Sequence, residues 1–169
     1  QALANSRNVP ATNLLKQTVL ETSFRFLHDL GLHNVEAPAE NFGLSMAIGS
    51  LPTNLEHLVR AYSVLAEDGK LADLVYAKDQ PQREARRLLS VDSARLVTAF
   101  LSDPVARLPS FSRYGPTEYN YPVALKTGTS QGYRDAWIVA FSEKVLVGVW
   151  VGRGDAGPMK GVSGATAPA

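Results

Sequence analysis

The sequence predicts an α+β domain, with helices flanking both faces of a mainly antiparallel β-sheet. Three observations predict it. The first two thirds of the chain carry apolar residues at helical steps of three and four. The last third carries apolar alternation typical of strands, with two strand candidates joined by a turn too short for a parallel crossover. In the final strand candidate Val145, Val147, Val149 and Val151 point one way and Leu146 and Trp150 the other, so both faces call for cover.

The first element reads as one helix from about Pro10 to Leu30, with Leu14, Leu15, Val19, Leu20, Leu27 and Leu30 on its stripe. Pro10 suits a first turn, where its missing N–H loses no partner, and Gly31 is a natural stop. A loop with Pro38, Asn41 and Gly43 follows. Thr53 to Asp68 is the clearest helix: Leu55, Leu58, Val59, Tyr62 and Leu65 form one stripe, Thr53 or Asn54 can cap it, and Gly69 ends it. Leu71 to Ala77 and Arg87 to Ser90 read as short extended pieces. Asp92 to Leu101 reads as a helix capped by Asp92 and stopped at Asp103-Pro104. Pro104 to Pro122 reads as loop. Val123 to Thr129 is a strand candidate, and Tyr133 to Phe141 with Val145 to Gly152 reads as a hairpin around Ser142-Glu143-Lys144.

Composition narrows the function. Among 169 residues, 17 Lys and Arg face 16 Asp and Glu, a net charge of +1. Nucleic-acid binding needs a concentrated cationic surface, which this balance argues against. Hydrophobic residues at 45% and charged residues at 20% describe a globular domain. Without cysteine there is no disulfide, thiolate nucleophile or Cys-ligated zinc. No apolar run reaches the roughly 20 residues that span a bilayer. The start at Gln1 and the small-residue ending Gly161 to Ala169 both read as cuts in a longer chain.

Two short motifs carry the chemistry. Lys126-Thr127-Gly128-Thr129 ends a strand candidate. A strand edge offers backbone N–H groups, Gly128 has no side chain to hold a ligand off, Lys126 adds positive charge and Thr129 a hydroxyl. That set suits an extended substrate ending in a carboxylate. Alone, it also fits a strand entering a glycine turn beside a solvated lysine. Ser6-Arg7-Asn8 has the S-x-N form, with a hydroxyl to relay a proton and an amide to hold a carbonyl. Alone, it also fits ordinary helix capping ahead of Pro10.

The ordered context raises both. Ala4-Asn5-Ser6-Arg7-Asn8-Val9-Pro10-Ala11 resembles the stretch around the S-x-N box of penicillin-binding transpeptidases. Phe42 to Ser50 is similar to their glycine-bounded apolar segment, and the helix from Asn54 to Gly69 follows it as in the family. Lys126-Thr127-Gly128-Thr129-Ser130 then leads into Gly132-Tyr133-Arg134-Asp135-Ala136-Trp137, wording most similar to the bifunctional class A group and its type 1C members. Enzymes of this kind pair K-T-G with S-x-x-K and S-D-N boxes.

The resemblance implies residues 1 to 169 as the C-terminal part of a transpeptidase domain. It implies a D,D-transpeptidase that cross-links peptidoglycan stem peptides through an acyl-serine and is trapped by β-lactams. Its location would be periplasmic, on the outer face of the bacterial inner membrane, in a parent that is membrane-anchored. By matched motif, Ser6 belongs to a proton relay, Asn8 holds a substrate carbonyl, and Lys126 supplies positive field. Thr127, Gly128 and Thr129 line the carboxylate pocket, with the Thr129 N–H as an oxyanion donor. No cofactor or metal is implied.

One departure matters. No Ser here is followed three positions later by Lys, so the S-x-x-K nucleophile lies outside this chain. Ser45, Ser63 and Ser93 lack that Lys, and a serine hydroxyl without a base is a poor nucleophile. The family's early strands would lie upstream too, leaving the sheet incomplete at its N-terminal side and its free edge open to self-association. Two other readings remain: a non-catalytic peptide- or partner-binding module on the same fold, and a serine β-lactamase or D,D-carboxypeptidase.

The remaining residues read as structural. His28, His33 and His57 are scattered, with no H-E-x-x-H. Arg83, Arg86 and Arg87 with Glu84 read as a solvated face. Tyr114, Tyr119 and Tyr121 read as packing or as a cleft wall, and Trp137 and Trp150 as sheet core.

Overall fold

The computed structural model describes residues 1–81 and 84–168. Arg83 of the basic cluster lies outside them. The α+β class holds. A three-stranded antiparallel sheet forms from β3 (Ala124–Thr129), β4 (Asp135–Phe141) and β5 (Leu146–Gly152), in the order β3-β4-β5. The register pairs Ala124 with Phe141 and Phe141 with Leu146, and Gly128 with Trp137 and Trp137 with Trp150.

The N-terminal stripe is two helices, not one: α1 (Asn8–Lys16) and α2 (Leu20–Asp29). An unbroken helix would bond the Leu15 carbonyl to the Val19 N–H. Instead the Thr18 N–H and hydroxyl both donate to that carbonyl, at 3.0 and 2.8 Å, and Val19 turns extended. This is the competition that hydroxyl side chains offer a helix. α1 buries none of its residues, and Leu14 and Val19 of the expected stripe are exposed. α2 ends at Gly31, whose φ is +76°. Phe24 of α2 packs with Ala39 and Met46 in two short helical turns, Ala39–Asn41 and Gly43–Ile48.

α3 (Leu55–Ala66) is capped by Asn54, whose side chain accepts the His57 N–H at 2.8 Å. Gly69, at φ +93°, stops it. Ala61 and Val64 of this helix pack on Leu30, while Tyr62 and Leu65 turn to the sheet. The expected extended pieces shrink to a two-residue ladder of β1 (Lys70–Leu71) with β2 (Arg86–Arg87). α4 (Val91–Ser102) is capped by Ser90 rather than Asp92. The extended Ser90 accepts the Ser93 N–H at 3.1 Å, and Asp92 falls inside the first turn. The segment after Asp103 is not all loop: α5 (Pro104–Arg107) forms because Asp103 accepts the Val105 and Ala106 N–H groups and Pro104 opens the turn.

α3 and α4 pack on one face of the sheet, where Leu101 meets Ala124 and Phe141. α3 crosses at Gly148: a Cβ there would stand 2.3 Å from Val59 Cγ2. The opposite face, with Ile138, Ala140, Val147 and Val149, meets Tyr119, Tyr121 and Pro168. Those two tyrosines therefore line a cavity on the opposite face and do not wall the face that carries Lys126. β5 is an edge strand among the described residues, which leaves Val147 at 47% and Trp150 at 41% exposure. Trp150 is thus not core; its indole N–H donates to Asp135 at 3.0 Å.

Candidate active site

β3 is the other edge of the sheet. The Ser130 N–H donates to the Asp135 carbonyl at 2.9 Å, which sets the phase of the ladder. In an antiparallel strand, bonded and non-bonded residues alternate. Ala124, Lys126 and Gly128 therefore point their backbone groups at β4. Leu125, Thr127 and Thr129 present theirs to the open edge. Gly128 is not demanded by internal packing, since a Cβ would lie 3.5 Å from Trp137 Cβ, an ordinary contact.

The Lys126 side chain shares the sheet face of α3 and α4 and reaches the Ser6 hydroxyl, donating to Oγ across 120 positions of chain. It also donates to the Thr127 carbonyl at 2.5 Å, on the open edge. An ammonium has three protons, so one remains for a ligand. Burial lowers the Lys126 amine to about 8. Ser6, as acceptor, keeps its own proton to pass on. Its φ of +52° belongs to the left-handed region, uncommon for serine. Asn8 opens α1 two residues later, with an exposed side chain that bonds to none of the described residues.

Thr129 is partly engaged. Its hydroxyl oxygen accepts the Gly164 N–H at 3.0 Å, leaving its proton to donate elsewhere. Gly164 lies flat on the strands: a Cβ would come within 2.4 Å of the Gly128 carbonyl oxygen and 2.5 Å of that of Trp137. Thr127 carries no comparable contact. The structure thus brings Ser6, Lys126, Thr127, Gly128 and Thr129 to one edge, with Asn8 on the adjoining turn.

The other serines are committed to local structure. Ser45 bonds to Phe42 and Ser50, Ser63 to Arg60 and Ala72, and Ser93 to Ser90. His33 is buried, its ring held between the Phe24 carbonyl and the Val35 N–H. No three His, Asp or Glu side chains converge as metal ligands among the described residues.

Sequence reasoning missed Asn5, Arg107 and Thr117, which are buried. The Asp103-Pro104 signal for a helix start was present and could have placed Arg107 in a capped turn.

An α+β domain whose edge-strand lysine meets a serine on a separate turn has the layout of the active-site serine acyl-transfer enzymes. The family model described as the penicillin binding protein transpeptidase domain matches residues 1–158, and the chain belongs to that family. It is 33% identical over 168 residues to penicillin-binding protein 1C of Escherichia coli (strain K12), across 97% of this chain and 21% of that protein. It is 27% identical over 169 residues to penicillin-binding protein 1A of Neisseria meningitidis serogroup A, across 90% and 20%. The chain spans about a fifth of the length of these curated relatives. In fold it matches the crystal structure of penicillin-binding protein 1A from Haemophilus influenzae, with TM-score 0.74 at 18% identity over 97% of this chain and 31% of that one. It also matches the transpeptidase domain of Burkholderia pseudomallei penicillin-binding protein 3, with TM-score 0.69 at 24% identity over 89% and 55%.

Proposed function

We propose that residues 1 to 169 are the C-terminal part of a D,D-transpeptidase domain that cross-links peptidoglycan stem peptides at the outer face of the bacterial inner membrane. The reading rests above all on the contact between the Lys126 amine and the Ser6 hydroxyl beside an open strand edge. The stem peptide lies extended along β3, bonded to the Thr127 and Thr129 backbone. Its terminal carboxylate faces the remaining Lys126 proton and the Thr127 and Thr129 hydroxyls, and Asn8 holds a substrate carbonyl. A serine from an S-x-x-K box upstream of Gln1 attacks the carbonyl between the two D-alanines. The Ser6–Lys126 pair carries a proton to the departing D-alanine amine, and the acyl group passes to an acceptor amine. The Thr129 N–H stabilises the oxyanion, a donor whose loss typically costs roughly 100-fold to 1,000-fold in rate. β-Lactams acylate the same serine.

The open outer edge of β5 supports the expectation of self-association. The missing S-x-x-K favours, as a second reading, a non-catalytic module that holds a peptide on the same edge.

A fluorescent penicillin separates the two. The full-length protein takes the label, the 169-residue chain alone does not, and Lys126→Ala in the full-length protein abolishes or strongly slows labelling with little loss of folding. Unchanged labelling of that variant contradicts the role given to Lys126. A full-length protein that never labels favours the module.

A further inference from the structure

Ser6 holds a backbone conformation that serine rarely adopts, so neighbouring contacts must hold its turn. Part of the support is local. The Asn5 N–H donates to the Gln1 carbonyl, that of Ser6 to Leu3 and that of Arg7 to Ala2, each at 3.1 Å. These bonds coil residues 1–7 but do not tie them to the sheet.

Asn5 makes the tie. Its side-chain N–H₂ donates to the Gln1 carbonyl at 2.8 Å and to the Ala106 carbonyl of α5 at 2.6 Å. Both partners are acceptors, which determines which way the amide points. The side chain is buried, and its Oδ1 has no partner among the described residues.

Arg107 follows Ala106 in α5. It is 4% exposed and forms no ion pair among the described residues. Its guanidinium donates to the Thr117 carbonyl at 3.0 Å and to that of Asp103 at 3.4 Å. This pins the segment that runs from α5 into β3. Asn5, Arg107 and Thr117 are three of the four buried polar or charged residues described, His33 being the fourth. Burying such groups is costly, and here three of them gather around one short helix. The result is a closed loop of contacts: Ser6 to Lys126, along β3 back to Thr117, through Arg107 and α5 to Asn5, and so to Ser6.

We propose that Asn5 and Arg107 are positioning residues, which act through α5 to hold the Ser6 hydroxyl against the Lys126 amine. The inference rests on the transpeptidase reading. Neither side chain touches substrate; each sets where the relay stands.

The test is a double-mutant cycle on the full-length protein, reading the affinity for a fluorescent penicillin and the acylation rate constant separately. Asn5→Leu keeps the branched outline of the side chain and removes both hydrogen bonds. It leaves affinity unchanged and lowers the acylation rate constant roughly tenfold to a hundredfold, the scale of a relay displaced by about 1 Å. In a Ser6→Ala background it costs nothing further, because its effect passes through Ser6. Arg107→Lys keeps the charge but not the fork that spans two carbonyls, so it slows acylation in the same non-additive way. If Asn5→Leu does not fold, as a thermal melt shows, Arg107→Lys decides alone. Wild-type acylation by the folded variants, or an equal loss with and without Ser6, overturns the proposal while the transpeptidase reading stands. A wild-type protein that takes no label overturns both.

Discussion

Lys126 titrates within the pH range that an acylation assay can scan. Burial lowers its amine to about 8, against about 10.4 for an ordinary lysine. If its charge receives the substrate carboxylate, acylation follows the charged fraction. That fraction is about 90% at pH 7 and about 10% at pH 9, so the acylation rate constant falls about tenfold over those two units. An unburied lysine would keep its proton and show no fall before pH 10. The assay is the acylation rate of the full-length protein with a carboxylate-bearing fluorescent penicillin from pH 6 to 10. In Lys126→Arg, whose charge persists beyond pH 12, the residual rate loses this falling limb. The same titration acts on stability with a definite sign. Between about 8 and about 10.4 the unfolded chain holds a proton that the folded chain has released, so stability rises with pH across that window. Below about 8 both states carry the proton and the slope vanishes. A rate that stays flat or climbs through pH 8, beside a stability curve without that rise, refutes the buried-lysine argument.

Two further outcomes follow from packing. Gly148→Ala places a methyl 2.3 Å from Val59 Cγ2 and 3.0 Å from Leu55 Cδ1. It destabilises the domain by about 1–3 kcal/mol in urea unfolding, and adding Val59→Ala recovers part of the loss; independent, additive effects would contradict the close approach of α3. The open edge of β5 predicts concentration-dependent self-association of the 169-residue chain, and a lone monomer peak in size-exclusion chromatography over a wide range removes that expectation.

Local periodicity is a property of neighbours in the chain, and it was legible. The hairpin of β4 and β5, the strand that carries Lys126, and α3 with its Asn54 cap all follow from steps of two, three or four residues. The order of the motifs was legible as well, and so was the missing S-x-x-K. Where two local options compete, the sequence was ambiguous. Thr18 could continue a helix or take the Leu15 carbonyl, and Ser90 or Asp92 could cap α4.

Only the tertiary structure decided which distant groups meet. It put the Ser6 hydroxyl on the Lys126 amine across 120 residues and tied Asn5 to α5 across 101. It also gave the Thr129 oxygen to Gly164 and sent Tyr119 and Tyr121 to the far face of the sheet. Such contacts have no period to read. They arise when packed helices and strands exclude water and drive buried polar groups onto the partners within reach.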